Sequence, residues 1–244
     1  MNIYVGTSGF AHQEWKGTFY PEKIAAKDML RSYGTRLQSV EINNTYYHMP
    51  NGTVLTSWSN QVPDNFVFAL KAPQVITHMK RLHGVSSETG YLFKALATLG
   101  RKLGPVLFQF PRSFRADRPV LEAFLDLIPR GALCAFDFRN PSWIENGVPD
   151  LLAGKGCGWC MEDTDESPVE KIIETAPWGY LRLRRNNYSD QDLDQWAKRI
   201  LSQKWEKAFV YFKHEGETGG AELAMRFQKI VDERDKIMHT NKAA

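Results

Sequence analysis

Short apolar runs alternate with amphipathic stretches from one end of the chain to the other. The runs at residues 3–7, 39–42, 66–71, 106–110, 133–138, 158–161, 180–183 and 209–212 are strand candidates. Between them, helical periodicity covers roughly residues 24–36, 51–61, 86–102, 117–128, 147–154, 168–175, 190–203 and 219–237. Two of these carry start signals: Ser189 and Asp190 ahead of Gln191 and Leu193, and Asp117 with Pro119 just inside. Strict β-α alternation without hairpins calls for parallel strands. Eight units in 244 residues fit a closed (β/α)8 barrel of the TIM type better than the alternative, an open doubly wound sheet. One domain over 1–244 is expected, with residues 236–244 as a polar, fraying tail, since neither repeats nor a linker interrupt the pattern.

Period-two alternation then assigns faces. If Phe68 and Leu70 meet the helices, Val67, Ala69 and Lys71 point into the barrel. The same parity groups Ser39, Glu41 and Asn43; Leu107 and Gln109; Ala135, Asp137 and Arg139; and Tyr180, Arg182 and Arg184. Each set turns polar toward its carboxyl end, where such barrels hold their ligands. Ionisable groups there cost desolvation unless they meet each other, water or a ligand. Strand eight ends in Lys213, His214 and Glu215, and strand six ends in Glu162 and Asp163, adding a candidate base and carboxylates.

The candidate catalytic residues are therefore Glu41, Lys71, Asp137 and His214. The candidate ligand-binding residues are Asn43, Tyr46, Gln109, Arg139, Trp143, Asp163, Arg182, Arg184 and Lys213. A structural reading stands beside this one, in which Glu41, Lys71, Asp137 and Arg139 form an ion-pair plug; pairing among those four leaves Arg182, Arg184 and Lys213 unexplained. Glu41, Asp137, Asp163 and His214 can be drawn as a metal site, but they match no metal pattern and five neighbouring cations oppose it, so no metal or other cofactor is expected. Guanidinium groups suit an anion instead.

Composition narrows the classes. The 31 Lys and Arg against 28 Asp and Glu give a net charge of only +3, so attraction to nucleic acid has to come from a local patch. Arg112, Arg115 and Arg118 around Phe114, with Lys80, Arg81 and Arg185, supply such cations near Trp15, Tyr46, Tyr47, Trp143 and Tyr188. Three cysteines, Cys134, Cys157 and Cys160, read as buried thiols in a reducing compartment. No leader or membrane-length apolar run is visible, which makes a cytoplasmic location with no membrane partner the expectation. Gly6-Thr7-Ser8-Gly9 lacks the spacing and lysine of a phosphate loop and reads as a tight turn.

These motifs also resemble the YecE-like family, also called domain of unknown function 72, over nearly the whole chain. The resemblance is carried by Gly6-Thr7-Ser8-Gly9, Phe19-Tyr20-Pro21, the stretch from Val40 to Tyr47, Lys71-Ala72-Pro73 with Ile76-Thr77-His78, the stretch from Gly104 to Pro111, and Phe138-Arg139-Asn140-Pro141-Ser142-Trp143. It implies the same barrel and no particular activity. The chain departs from the family pattern at Asp137, where glutamate is common, at Arg182-Leu183-Arg184-Arg185, where Arg-Leu-His-Gly is common, and at Lys213-His214-Glu215, where asparagines are common. Three functions stay open: an enzyme using acid/base chemistry on a phosphorylated or anionic small molecule, a nucleic-acid-binding or nucleic-acid-processing protein, and a non-catalytic ligand-binding module.

Overall fold

A computed structural model describes residues 1–213 and 219–243, with side chains to Ile237. His214 and Glu215 lie outside the described residues. The eight strands are β1 (Asn2–Ser8), β2 (Ser39–Ile42), β3 (Val67–Lys71), β4 (Leu103–Gln109), β5 (Cys134–Asp137), β6 (Gly158–Asp163), β7 (Trp178–Leu183) and β8 (Lys207–Phe212). They close into one barrel in sequence order, and every neighbouring pair is parallel, including β8 with β1.

The α-helices are α1 (Met29–Gly34), α2 (Gly52–Ser59), α3 (Ser86–Leu96), α4 (Arg118–Leu125), α5 (Ser142–Glu145), α6 (Val148–Gly154), α7 (Asp190–Leu201) and α8 (Gly220–Ala243). Both start signals are realised. The Asp117 carboxylate accepts from Val120 N, and Ser189 forms a reciprocal capping box with Asp192. Two expectations fail. No helix forms over 168–175, where the chain between β6 and β7 is irregular, and α8 continues through the stretch read as a fraying tail. None of the described helices is long and apolar enough to cross a membrane.

Strand parity divides the buried residues into two layers. Phe68, Leu70, Val106, Phe108 and Phe136 pack outward against the helices, while Val67, Ala69, Leu107, Ala135, Tyr180 and Tyr211 fill the interior. Aromatic rings close the barrel's amino end: Phe209 stacks on Tyr4 at 5.1 Å and meets Trp178 edge-on at 6.0 Å. Gly158 makes room for Trp178, because a Cβ there would lie 2.8 Å from the indole. With that end sealed, the ionisable side chains of the interior gather at the carboxyl end of the barrel.

Candidate functional site

The floor of the mouth is built around Glu41 at the end of β2, which is fully buried. Its Oε1 accepts from Ser8 Oγ at 2.8 Å, Asn43 Nδ2 at 3.2 Å and Arg182 Nη2 at 3.1 Å. Its Oε2 accepts from Tyr180 Oη at 2.8 Å and Arg182 Nε at 3.0 Å. Burial alone raises a carboxyl pKa, but the Arg182 charge and these donors outweigh it and hold Glu41 at about 2. Five donors use up the lone pairs of one carboxylate. Glu41 is thus held as an anchor with every acceptor position taken, an arrangement suited to fixing Arg182 more than to carrying protons.

Arg182 is likewise spent. Beyond its fork onto Glu41, Nη1 donates to Glu162 at 2.7 Å and lies 3.5 Å from Asp137 Oδ2. Its guanidinium is buried, so it holds carboxylates of this chain in place of the ligand expected for it.

Above the floor, Lys71 at the end of β3 is half-buried and donates to Gln109 Oε1 at 2.6 Å, while Gln109 Nε2 donates to Asp137 Oδ2 at 2.5 Å. An ammonium group only donates, so the Gln109 amide can face only one way and relays between Lys71 and Asp137. Lys71 Nζ also sits 4.3 Å from the ring centroid of Tyr46. Among the described residues no carboxylate pairs with it. Burial, with the charges of Arg182 and Arg139, pulls its pKa down to about 8 against the partial support of Glu41 and Asp137. Asp137 moves the other way: burial and then Glu162 raise it, in spite of Arg182 and Arg139.

The rim carries the remaining cations. Arg139 reaches from β5 to both oxygens of Glu162 at 3.1 Å, and Arg184 Nε lies 3.3 Å from Glu162 Oε1. Lys213 stands further around and donates to Asn186 Oδ1 at 2.7 Å. Counting Lys71, Arg139, Arg182 and Arg184 against Glu41, Asp137 and Glu162, four cations face three carboxylates.

Two expected ligand contacts are instead structural. Asp163 is fully buried on the helix-facing side of β6, where it pairs with Arg185 and accepts from Tyr188 Oη at 2.7 Å and Val169 N at 2.9 Å. Its neighbour Glu162 holds the mouth position, in register with Arg182. Trp143 is also fully buried; it stacks on Phe138 at 4.5 Å, and its Nε1 donates to Phe114 O at 2.8 Å. It braces the Phe138–Arg139 segment from behind. Of the aromatics near the basic loops, Trp15 and Tyr188 are core as well, leaving Tyr46 half-buried and Tyr47 at 66% exposure.

Two residues join the site that the sequence reading did not select. Glu162 was accessible to parity, because it alternates with the inward-facing Cys160. His78 sits on a π-helical turn, Val75–Met79, directly after β3, and its ring meets Tyr46 edge-on at 5.0 Å. Burial and the charges of Lys71, Arg139 and Arg81 lower its pKa, which favours the neutral imidazole. The turn ends in two successive left-handed non-glycine residues, Arg81 (φ 45°) and Leu82 (φ 69°). Both π-turns and such strained backbone concentrate at functional sites.

The three cysteines are free and buried. Burial raises the Cys157 thiol to about 12 and lifts Cys134 and Cys160 well above their ordinary range. No cluster of three or more His, Cys, Asp or Glu suited to a metal occurs among the described residues.

Fold and mouth together define a TIM barrel whose carboxyl-end opening is lined by a partly neutralised, ion-paired cluster. More narrowly, the chain belongs to the family described as "Protein of unknown function DUF72", whose model matches residues 4–244. It is 24% identical over 271 residues to the UPF0759 protein YunF of Bacillus subtilis, covering 94% of this chain and 95% of that one. It is 25% identical over 155 residues to the UPF0759 protein YecE of Escherichia coli, covering 63% of this chain and 54% of that protein. A DUF72 family protein from Thermotoga maritima superposes with a TM-score of 0.78 at 25% identity, covering 95% of this chain and all (100%) of that one. A β-mannanase from blue mussel, at a TM-score of 0.52 and 9% identity over 93% of this chain and 92% of its own, shares the fold alone.

Proposed function

We propose that the mouth of the barrel binds a small anionic molecule and moves protons on it, with Lys71 and Asp137 as the acid/base pair. The observation that carries this reading is Lys71: a half-buried ammonium with a pKa near 8, facing the mouth, with a neutral amide as its hydrogen-bond partner. A lysine brought down and an aspartate brought up across one bridging glutamine suit proton transfer near neutral pH. The net cationic balance at the rim favours an anion, with Arg139 and Arg184 as the half-exposed contacts and Tyr46 and His78 as polar neighbours. Glu162 keeps both arginines in place.

A second reading rests on a separate observation. Arg112 and Arg115 are exposed and have no carboxylate partner among the described residues. Such a patch suits a nucleic-acid backbone, although burial of Trp15, Trp143 and Tyr188 removes most of the expected stacking surface. The buried, free cysteines fit a reducing compartment, which supports placing the protein in the cytoplasm.

The test is thermal unfolding with inorganic phosphate, sulfate or a short oligonucleotide at matched ionic strength. A ligand that binds the native state raises the melting temperature by mass action. Stabilisation by phosphate or sulfate that disappears in Lys71→Met and Arg139→Ala is the expected result. Stabilisation by the oligonucleotide alone, lost in Arg112→Ala, would transfer the function to the second reading.

A further inference from the structure

The wall of the barrel is not continuous at its mouth. β5 stops at Asp137 while β6 runs on to Asp163, and the two strands pair only at Ala135–Gly158 and Phe136–Trp159. Above that level a cleft of about 280 Å³ opens between Phe138–Arg139 and Cys160–Glu162. Its roof belongs to the segment that would have been the sixth helix. The roof is held in place because Val169 N donates to Asp163 Oδ1 at 2.9 Å, while Arg199 donates to Val169 O at 2.8 Å and to Glu170 O at 3.1 Å. A roof fixed through its backbone on both sides leaves the cleft preformed, which lowers the ordering cost of binding.

The cleft changes character along its length. Asp137, Arg139 and Glu162 form one end and belong equally to the mouth cluster, so the cleft borders it. The lining is mixed: Phe138, Ile144 and Ile173 give it an apolar side over the nearly buried Trp159 and Met161, Thr164 and Ser167 are polar neighbours, and Ile144 leaves 52% of its surface exposed. At the solvent edge stand Arg112 and Lys171, both exposed and neither paired with a carboxylate among the described residues. The three cations at the cleft oppose two carboxylates, one of which, Glu162, is already neutralised by Arg139, Arg182 and Arg184.

We propose that this cleft is the subsite for the body of the ligand whose anionic group occupies the mouth. The ligand is then an anion carried on a flat apolar group the size of one ring, an aryl phosphate being the simplest member of the class. The cleft's volume of about 280 Å³ lies at the small end of ligand pockets and suits a body of about one ring. This inference rests on the anion-binding reading of the mouth but makes a claim of its own about the cleft.

Isothermal titration with phenyl phosphate and with inorganic phosphate, at equal ionic strength, separates the two claims. The expected result is that phenyl phosphate binds about tenfold or more tighter, from burial of the ring. Ile144→Trp and Ile173→Trp, which fill the cleft from its walls, should each abolish that advantage while inorganic phosphate binds as before. Equal binding of the two phosphates by the unaltered protein would overturn the cleft and leave the mouth reading standing. So would an advantage that survives both substitutions. Binding of neither phosphate would remove the mouth reading, and this inference with it.

Discussion

The floor and the rim of the barrel mouth use the same residue types to opposite ends. On the floor, Glu41 and Arg182 face each other in a fork, with Ser8, Asn43 and Tyr180 completing the carboxylate's hydrogen bonds. On the rim, Arg139 and Arg184 lean on Glu162, which Arg182 also engages, Arg139 lies 3.9 Å from Asp137, and Lys71 donates only to an amide. A charge whose neighbours satisfy it fully has nothing left to offer a ligand, whereas one left short can still bind. Solvent access divides them in the same way: Arg182 is buried, while about a third of the Arg139 side chain (35%) is open to water. The ion-pair plug drawn from Glu41, Lys71, Asp137 and Arg139 therefore does not form as one unit: Glu41 is spent on Arg182, while Lys71 donates to Gln109 and Arg139 to Glu162.

Breaking the floor should have the largest effect. Arg182→Met strands Glu41 as a buried, uncompensated charge and should cost about 3–5 kcal/mol of folding stability, read by chemical denaturation. The pH dependence has a definite sign. With Glu41 held near 2 against a usual 4.5, its contribution is complete above the usual value and is lost as pH falls toward 2. Glu41→Gln should flatten that part of the stability profile. A floor variant that kept full stability would mean that water or a ligand normally shares the cluster.

The brace behind the rim comes next. Trp143→Phe keeps a six-membered ring but removes the hydrogen bond to Phe114 O and leaves a cavity in a fully buried site, and should cost about 2–4 kcal/mol with little change in anion affinity. Arg139→Ala should change stability by at most about 1 kcal/mol, since its ion pair is partly solvated, while weakening anion binding clearly. Lys71→Met should leave stability level or raise it, because below pH 8 the fold carries the cost of a desolvated ammonium. That cost fades as pH rises from about 8 to the usual 10.5, so the variant's advantage should fade over the same range. Rim substitutions as damaging to folding as Arg182→Met would erase the distinction between the two levels.

Much of this arrangement was legible in the residues. Apolar runs located all eight strands, and parity brought Glu41, Lys71, Gln109, Asp137, Arg139, Arg182 and Arg184 to one opening. Which charges satisfy which was not legible, because that depends on register between strands far apart in sequence, such as Glu162 beside Arg182. Asp163 was misplaced by one position, and in a strand one position is the whole thickness of the sheet. Trp143 carries no local sign that its indole turns inward onto Phe138 and Phe114. Residues 168–175 have apolar groups at helical spacing, at Val169, Ile172 and Ile173. There the Arg199 guanidinium takes the Val169 and Glu170 carbonyls, which a helix would have paired internally.

The central claim is that Lys71 is a desolvated, unneutralised cation kept ready for an anion. Its most direct test is the titration of ε-¹³C-labelled lysine by NMR, with Lys71→Met to assign the signal. One lysine should titrate near pH 8, well below the usual 10.5, and move upward when phosphate saturates the site. A Lys71 signal that titrates with the other lysines, or that ignores phosphate, would contradict the account.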